Sequence, residues 1–240
     1  MKGRIAVLSL AALLTVTNAQ AQEEAATTAP EATAPTAEAT APDTGRTMRP
    51  GHLDLRANFN ADILLAFVNA GVSVDVGLLP LGPGVLAVGG ELEAGACVTF
   101  CLGFKLLTGW DLSTRYLSPH ARLTYHFTPP AKSPSLQKVD FYGLAFGGIT
   151  YNTAGLSGDA GNDRFEYSGA DIGPSLGVGA GAKYFFKEDS GLFLGAEGRL
   201  RWSAGTYAWT ARYGSVAISD TQSFWSLSGF NIQLFGGLRI

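Results

Sequence analysis

Polar and apolar residues alternate along most of the chain after residue 51. From 52 to 63, every odd position is apolar and every even position is polar or charged. Neighbouring side chains of a β-strand point to opposite faces. The pattern therefore predicts a strand of about eleven residues with one apolar and one polar face. A tilted strand needs that length to cross a lipid bilayer, whereas strands in soluble sandwiches are commonly about five or six residues long.

The same period recurs and predicts eight strands. The pattern places them at about 52–67, 71–79, 84–97, 114–127, 139–152, 170–186, 191–205 and 224–240. Proline-rich or glycine-rich turns are expected at one end of the sheet. The other end is expected to carry a short loop and three longer ones, at about 69–71, 98–113, 153–169 and 206–223.

These elements predict an all-β fold, a closed antiparallel eight-stranded transmembrane β-barrel with up-and-down meander topology. A sheet that crosses a bilayer has to close, because every backbone polar group in the hydrocarbon must be paired. An even number of strands brings both chain ends to the periplasmic side, as in bacterial barrels.

The amino terminus has the features of an export signal. Lys2 and Arg4 precede a short apolar run, and small residues around Ala19 and Ala21 suit cleavage. We therefore expect a signal peptide at residues 1–22, and with it export from the cytoplasm.

The next segment, residues 23–50, consists mainly of Ala, Thr, Pro and Glu. Such residues offer almost nothing to bury, so the entropy lost on ordering is not offset. We expect a disordered N-terminal segment that acts as a periplasmic spacer, with the outer-membrane barrel at residues 51–240.

Composition narrows the class further. The chain is 46% hydrophobic and only 15% charged, and it contains 31 glycines and 2 cysteines. No run of 18 apolar residues is present, so a helical membrane protein is excluded. Two cysteines are too few for a disulfide-rich scaffold, and a net charge of -3 provides no basic surface for nucleic acid.

Two predicted hairpins give the sequence a specific resemblance. One is RLTYHF at 122–127 followed by VDFYGLAFGG at 139–148, and the other is GAGAKYFF at 179–186 followed by LFLGAE at 192–197. They resemble hairpins of the outer-membrane protein β-barrel superfamily, the small OmpA/OmpX-like eight-stranded barrels. The resemblance covers about 52–240 and implies a location in the bacterial outer membrane. Members are mostly structural, adhesive or uncharacterised, so it implies a location more than an activity.

Alternation directs a set of charged side chains into the barrel. They are Asp54, Arg56, Asp62, Asp75, Glu91, Glu93, Arg122, Asp171, Lys183, Glu197, Arg199, Arg201 and Arg239. An eight-stranded barrel has room inside only for side chains or one small ligand, and buried charges persist when they are paired. Because the two signs are nearly balanced, we expect an ion-pair network that fills the lumen. Glycines on one strand, at 173, 177, 179 and 181, are expected to make room for arginines of a neighbouring strand or to permit curvature of the sheet.

Cys97 and Cys101 lie near the outer end of the third strand. In a straight strand their Cα atoms would be ~13 Å apart, too far for a disulfide. A bend or tight turn at Thr99 would bring them together, and an exported location permits oxidation. The expectation is a loop-stapling disulfide, with two free thiols as the alternative.

Aromatic residues are expected to form two belts around the barrel at the lipid headgroups. The outer belt would contain Trp110, Tyr116, Tyr151, Tyr167, Trp202, Tyr207, Trp209, Phe224 and Trp225, and the inner belt Phe127, Phe141, Tyr184, Phe185 and Phe186. A carbohydrate-binding face made of Trp202, Tyr207 and Trp209 is the functional alternative.

No cofactor, metal site or catalytic group is predicted. His120 and His126 share a strand face but lie roughly 20 Å apart, so they cannot hold one metal ion. A rim-site lipid-modifying enzyme would need a cluster such as His120, Ser118 and Glu93 or Asp111, and nothing in the sequence fixes that geometry. It remains the third hypothesis.

The leading hypothesis is a non-enzymatic structural or surface-interaction role for a barrel with a packed lumen, and the second is a small narrow channel or ligand carrier. Expected partners are outer-membrane lipids and the barrel-assembly machinery, which would bind the C-terminal strand. Related barrels usually end in Phe or Trp, and the apolar Ile240 keeps that chemistry. Peptidoglycan and an extracellular ligand are further candidates, no nucleic acid is expected, and the barrel is expected to be a monomer.

Overall fold

The computed structural model describes residues 47–61, 67–127, 136–187 and 190–240. The predicted signal peptide and nearly all of the predicted spacer lie outside these ranges. The strands are β1 Leu53–Ala61, β2 Phe67–Leu81, β3 Gly84–Cys97, β4 Asp111–Phe127, β5 Val139–Ala160, β6 Asp163–Phe185, β7 Leu192–Tyr213 and β8 Val216–Arg239. An α-helix, α1, spans Thr99–Thr108, and a short 3-10 helix spans Leu136–Lys138.

Each strand pairs antiparallel with the next strand in sequence, and the ring closes between β1 and β8. In that last pairing Asp54 lies opposite Arg239 and Phe59 opposite Leu234. Beyond it, Leu53 and Ile240 exchange two backbone hydrogen bonds of 2.8 Å each. The all-β antiparallel meander predicted from the alternation is confirmed.

The two ends of the ring differ. We call the end with the start of β1, the end of β8 and the β2–β3 turn the terminal end. The opposite end, with α1 and the β5–β6 and β7–β8 hairpins, is the hairpin end. No helix within the described ranges is long and apolar enough to cross a membrane.

The two faces of the sheet have opposite polarity, as β1 shows. Asp54 and Arg56 point inward and are 0% and 5% exposed, whereas Leu55 and Phe59 point outward and are 43% and 52% exposed. Buried polar and exposed apolar positions also alternate along much of β3 and β4. An apolar exterior around a polar interior is the reverse of what water selects for.

Three connections at the hairpin end differ from prediction. The loop expected at 69–71 is wrong, because β2 runs without interruption from Phe67 to Leu81. The loops expected at 153–169 and 206–223 are wrong as well, because β5 to β8 continue as strands and turn tightly near Gly161 and Gly214. These two glycines have φ of 75° and 55°, a left-handed conformation that other residues rarely adopt.

The expected loop at 98–113 contains α1. The helix ends at Thr108, and the next residue, Gly109, has a φ of 76° that allows its backbone N–H to donate to the carbonyl oxygen of Lys105. Cys97 and Cys101 form a disulfide with a Cα–Cα distance of 5.7 Å. The helix begins at Thr99, where a bend was expected, and its first turn brings the second cysteine back to the end of β3.

Candidate functional site

The centre of the lumen is occupied by Arg122, which extends inward from β4 and has no exposed side-chain surface. Its guanidinium contacts three carboxylates: Glu197 at 3.0 Å, Asp75 at 3.3 Å, and Glu91. These carboxylates belong to β7, β2 and β3, so one side chain joins four strands.

A second arginine, Arg56 of β1, approaches the same group from another side. It contacts Asp75 at 2.7 Å and Glu197 at 3.3 Å, and it donates a hydrogen bond of 3.0 Å to the hydroxyl of Tyr142. Tyr142 in turn donates to Glu197 at 2.6 Å. Glu197 therefore accepts hydrogen bonds from side chains of β1, β4 and β5. These bonds offset the free-energy cost of burying its charged carboxylate.

A third arginine, Arg199, extends the network toward the hairpin end. It contacts Glu91 through two bonds of 2.7 and 2.8 Å, Glu93 at 3.5 Å, and Glu197. Arg201 follows it along β7 and contacts Glu93 at 2.8 Å, with 18% of its side chain exposed. Among the residues that the structure describes, four arginines thus meet four carboxylates, so their charges balance.

Lys183 belongs to a separate cluster near the terminal end. Its ammonium group contacts Asp54 at 2.5 Å, and Arg239 contacts the same carboxylate at 2.7 Å. Arg239 also contacts Asp140 at 2.6 Å, and Asp140 lies 2.9 Å from Nδ1 of His126. The sequence did not identify Asp140 and His126 as members of a cluster. Asp140 pairs with Lys183 in the β5–β6 register, and that proximity becomes visible only once the strands are aligned.

Aromatic rings lie between these charged groups and cover them. The sequence analysis does not predict this arrangement of rings. The inner face of the barrel carries an apolar group consisting of Tyr142, Leu144, Phe146, Phe185, Phe193 and Phe235. The guanidinium of Arg56 lies 5.0 Å from the ring centroid of Phe235, and the ammonium of Lys183 lies 4.7 Å from that of Tyr142. Cation–π contacts of this kind stabilise desolvated charges.

Two glycines of β6, Gly177 and Gly181, do not make room for arginines, contrary to one of the two alternatives expected. A Cβ atom on Gly177 would lie 2.1 Å from the ring of Phe146, and one on Gly181 would lie 2.5 Å from the hydroxyl of Tyr142. The space that these glycines leave is filled by large side chains of β5, not by arginines. Arg199 then stacks on Phe146 at 5.3 Å from its centroid.

Two of the predicted lumen carboxylates remain to be placed, and one of them, Asp62, falls outside the described residues. Asp171 does point inward and is 5% exposed, but its Oδ1 has no hydrogen-bond partner among the described residues.

Glu93 lies opposite Ser118 in the β3–β4 register, and His120 follows on the same face, but Ser118 and His120 form hydrogen bonds with other residues. His120 is hydrogen-bonded to Ser175 at 3.3 Å, and Ser118 to Thr150 at 2.8 Å. Asp111 is exposed and pairs with Lys105 at 2.7 Å. The described residues also hold no group of three His, Cys, Asp or Glu side chains that could bind a metal ion.

The aromatic belts differ from expectation at the hairpin end. Tyr151 and Trp202 face outward and are 47% and 40% exposed. Most of the remaining residues of the expected outer belt lie at inward positions: Trp110, Tyr116, Tyr167, Tyr207, Trp209 and Phe224. The side chain of Trp225 lies outside the described residues.

At the terminal end the belt is closer to expectation. Phe127, Phe141, Tyr184 and Phe186 are exposed, whereas Phe185 is fully buried in the lumen.

The prediction of a carbohydrate-binding face made of Trp202, Tyr207 and Trp209 is wrong, because the three side chains do not lie on one face of the sheet. Trp202 lies at an outward position of β7, whereas Tyr207 and Trp209, an odd number of residues further on, lie at inward ones. Tyr207 instead accepts a hydrogen bond of 3.0 Å from Tyr167. Desolvation raises the pKa of Tyr207 above its ordinary value, so its hydroxyl stays protonated.

Comparison with known proteins points to one class. No known family profile matches the chain, and no curated protein matches it in sequence. The fold is similar to that of a major outer membrane protein from Thermus thermophilus, with a TM-score of 0.51, 12% identity, and coverage of 79% of this chain and 99% of that one. The N-terminal β-barrel domain of Pseudomonas aeruginosa OprF also aligns, with 16% identity over 80% of this chain and 98% of that one.

The OprF alignment has a TM-score of 0.36, too low to establish a common fold, so the Thermus structure carries the comparison. At 12% identity its similarity bears on the fold alone. On that ground the predicted fold is confirmed: the chain has the fold of an outer-membrane β-barrel protein.

Proposed function

We propose that this protein is a non-enzymatic outer-membrane barrel with a sealed, ion-paired lumen, and that its hairpin end serves a structural or surface-interaction role outside the cell. One observation carries the proposal. Glu197 of β7 contacts both Arg56 of β1 and Arg122 of β4. Strands 1, 4 and 7 are spaced almost evenly around a ring of eight, so these three side chains cross the whole section of the lumen.

The burial of these groups supports a closed lumen. The side chains of Arg56, Arg122 and Glu197 are each at most 2% exposed. A selective aqueous pore needs an opening lined by a biased ring of charge, whereas this cluster is balanced and desolvated. The same argument disfavours the narrow channel and the ligand carrier, because both need free volume at this level.

The outer surface supports a position in a membrane. Along β7, outward apolar side chains extend from Leu192 to Trp202, which is ~33 Å of strand, or ~23 Å along the barrel axis at a tilt of about 45°. Bacterial barrels present an apolar band of ~25 Å between two aromatic belts. Here the belts consist of Tyr184 and Phe186 at one end and of Tyr151 and Trp202 at the other.

Orientation and partners follow from this placement. We assign the terminal end to the periplasm, where the N-terminal spacer would emerge and could reach peptidoglycan. The C-terminal strand β8 closes the ring against β1, so it is the natural signal for the barrel-assembly machinery. Outer-membrane lipids would surround a single barrel.

The test is ion conductance in a planar lipid bilayer. The purified protein, inserted in its heat-modifiable folded form, should give no stepwise current. A porin added afterwards to the same bilayer should give steps, which shows that the recording detects open channels. Stepwise current from the protein alone would overturn the sealed lumen, and extraction from membranes without detergent would overturn the membrane location.

A further inference from the structure

Beyond the apolar band, the strands of the two long hairpins continue for roughly 35 Å and exchange the polarity of their faces. Outward positions there are polar, as at Glu166 and Thr210. Inward positions are aromatic, as at Tyr167 and Trp209. A polar outer face suits water, so the inner face is the one that needs an explanation.

The inner side chains form a layer that we call the aromatic face: Trp110, Phe165, Tyr167, Tyr207, Trp209 and Phe224. Tyr167 and Trp209 stack with ring centroids 6.0 Å apart, and Trp110 and Phe165 are 5.5 Å apart. All six are only half-buried. The face is therefore held by mutual contacts yet remains open to a ligand.

A buried carboxylate lies at the base of the aromatic face. Asp171 is opposite Tyr207 in the β6–β7 register and is 5% exposed. Its Oδ1 has no partner among the described residues. A buried charge without a partner is costly, so a positively charged group placed here would be bound favourably.

Two carboxylates border the aromatic face, whereas Arg201, the inward cation of β7 that precedes it, is paired with Glu93. Asp220 lies opposite Trp209 in the β7–β8 register, so a second carboxylate borders the face. The basic side chains of the two hairpins, Arg164 and Arg212, occupy outward positions. Aromatic rings present a negative face to a cation, so rings and carboxylates attract the same kind of ligand.

We infer that the aromatic face, with Asp171 at its base, binds an organic ammonium ion whose alkyl groups contact the rings. Trp and Tyr rings bind quaternary ammonium groups in this manner. An apolar molecule would leave Oδ1 of Asp171 without a partner, and an anion would be repelled by both carboxylates. A neutral sugar could donate a hydrogen bond to Asp171 but would not neutralise its charge. The inference deepens the proposed surface-interaction role and rests on it only for the exposure of the hairpin end.

The experiment titrates the detergent-solubilised full chain with choline and, in parallel, with 3,3-dimethylbutan-1-ol, its uncharged isostere. Binding is followed by calorimetry and by tryptophan fluorescence. Choline should bind with a Kd on the order of 1 mM, and the isostere at least tenfold more weakly. The comparison does not depend on whether the lumen conducts, so this inference can fail while the proposed function stands.

Three variants locate the site. Asp171→Asn keeps the volume and removes the charge, and Trp209→Leu removes a ring; each should weaken choline binding by about tenfold or more. Trp202→Leu, on the outward face of the same strand, is the matched control and should leave binding unchanged. Equal binding of choline and its isostere, or no binding of choline at about 10 mM, overturns the inference. So does unaltered binding by a folded Asp171→Asn protein.

Discussion

Replacement of Arg122 by methionine is the sharpest test of the ion-paired lumen. The variant keeps most of the length of the side chain but removes the positive charge that contacts Asp75, Glu91 and Glu197. All four side chains are fully buried, so water cannot replace the missing charge.

The expected cost follows from what happens when one partner of a buried ion pair is removed. Such changes destabilise proteins by about 3–5 kcal/mol, because an uncompensated charge remains in the interior. Since about 1.4 kcal/mol is a factor of ten, the unfolding equilibrium of Arg122→Met should shift by roughly a hundredfold to a few thousandfold. A second change, Glu197→Gln, should recover part of the loss, because it restores the charge balance.

The assay is equilibrium unfolding in urea at fixed detergent or lipid concentration, followed by tryptophan fluorescence and by the gel shift of the folded barrel. The midpoint should fall while the slope stays constant. Arg115→Met is the matched control: Arg115 is exposed on the other face of the same strand, so its replacement should cost within about 0.5 kcal/mol. Solvent-exposed ion pairs contribute less than about 1 kcal/mol to stability. A loss of unfolding free energy below that value for Arg122→Met would therefore refute a desolvated network.

Two further predictions concern packing and the disulfide. Gly177→Ala should destabilise the barrel by about 1–3 kcal/mol, because its Cβ would lie 2.1 Å from the ring of Phe146. Gly143→Ala, where a Cβ meets no atom within 4 Å, should be neutral or slightly stabilising in the same unfolding assay. Replacing both Cys97 and Cys101 by serine should cost up to about 2 kcal/mol, the loop-closure entropy for so short a loop. In this variant, amide hydrogen exchange should become faster in α1 alone. Faster exchange across the whole sheet would contradict a disulfide that stabilises only this helix.

The regular strands could be predicted because one physical rule controls them. Along β1 every inward residue is polar and every outward residue apolar, so Asp54, Arg56, Asn58 and Phe59 were assigned to the correct faces by parity. Charges are few and conspicuous in such a chain, so the members of the central network could be named before their contacts were known. Which arginine meets which carboxylate depends on strand register, and the sequence does not carry that information.

The inner apolar group could not be predicted, for a related reason. In β5, Phe141 and Ala145 face outward, while Tyr142, Leu144 and Phe146 face inward. Both faces are apolar, so no period-two signal distinguishes them. Only the neighbouring glycine-rich strand, with space at Gly177, shows why large rings are accommodated there.

The sequence pattern predicts loops where the long hairpins lie, because the apolar residues move from outward to inward positions partway along these strands. Trp202 is aromatic and outward, whereas Tyr207 and Trp209 are aromatic and inward. A search for apolar outward positions therefore stops at Trp202, although the period of two continues to Tyr213. Apolar side chains face outward where the solvent is lipid and inward where it is water. The position at which the aromatic residues change parity is thus expected to mark the outer membrane surface, and the strand beyond it is the part of the barrel that can meet a ligand.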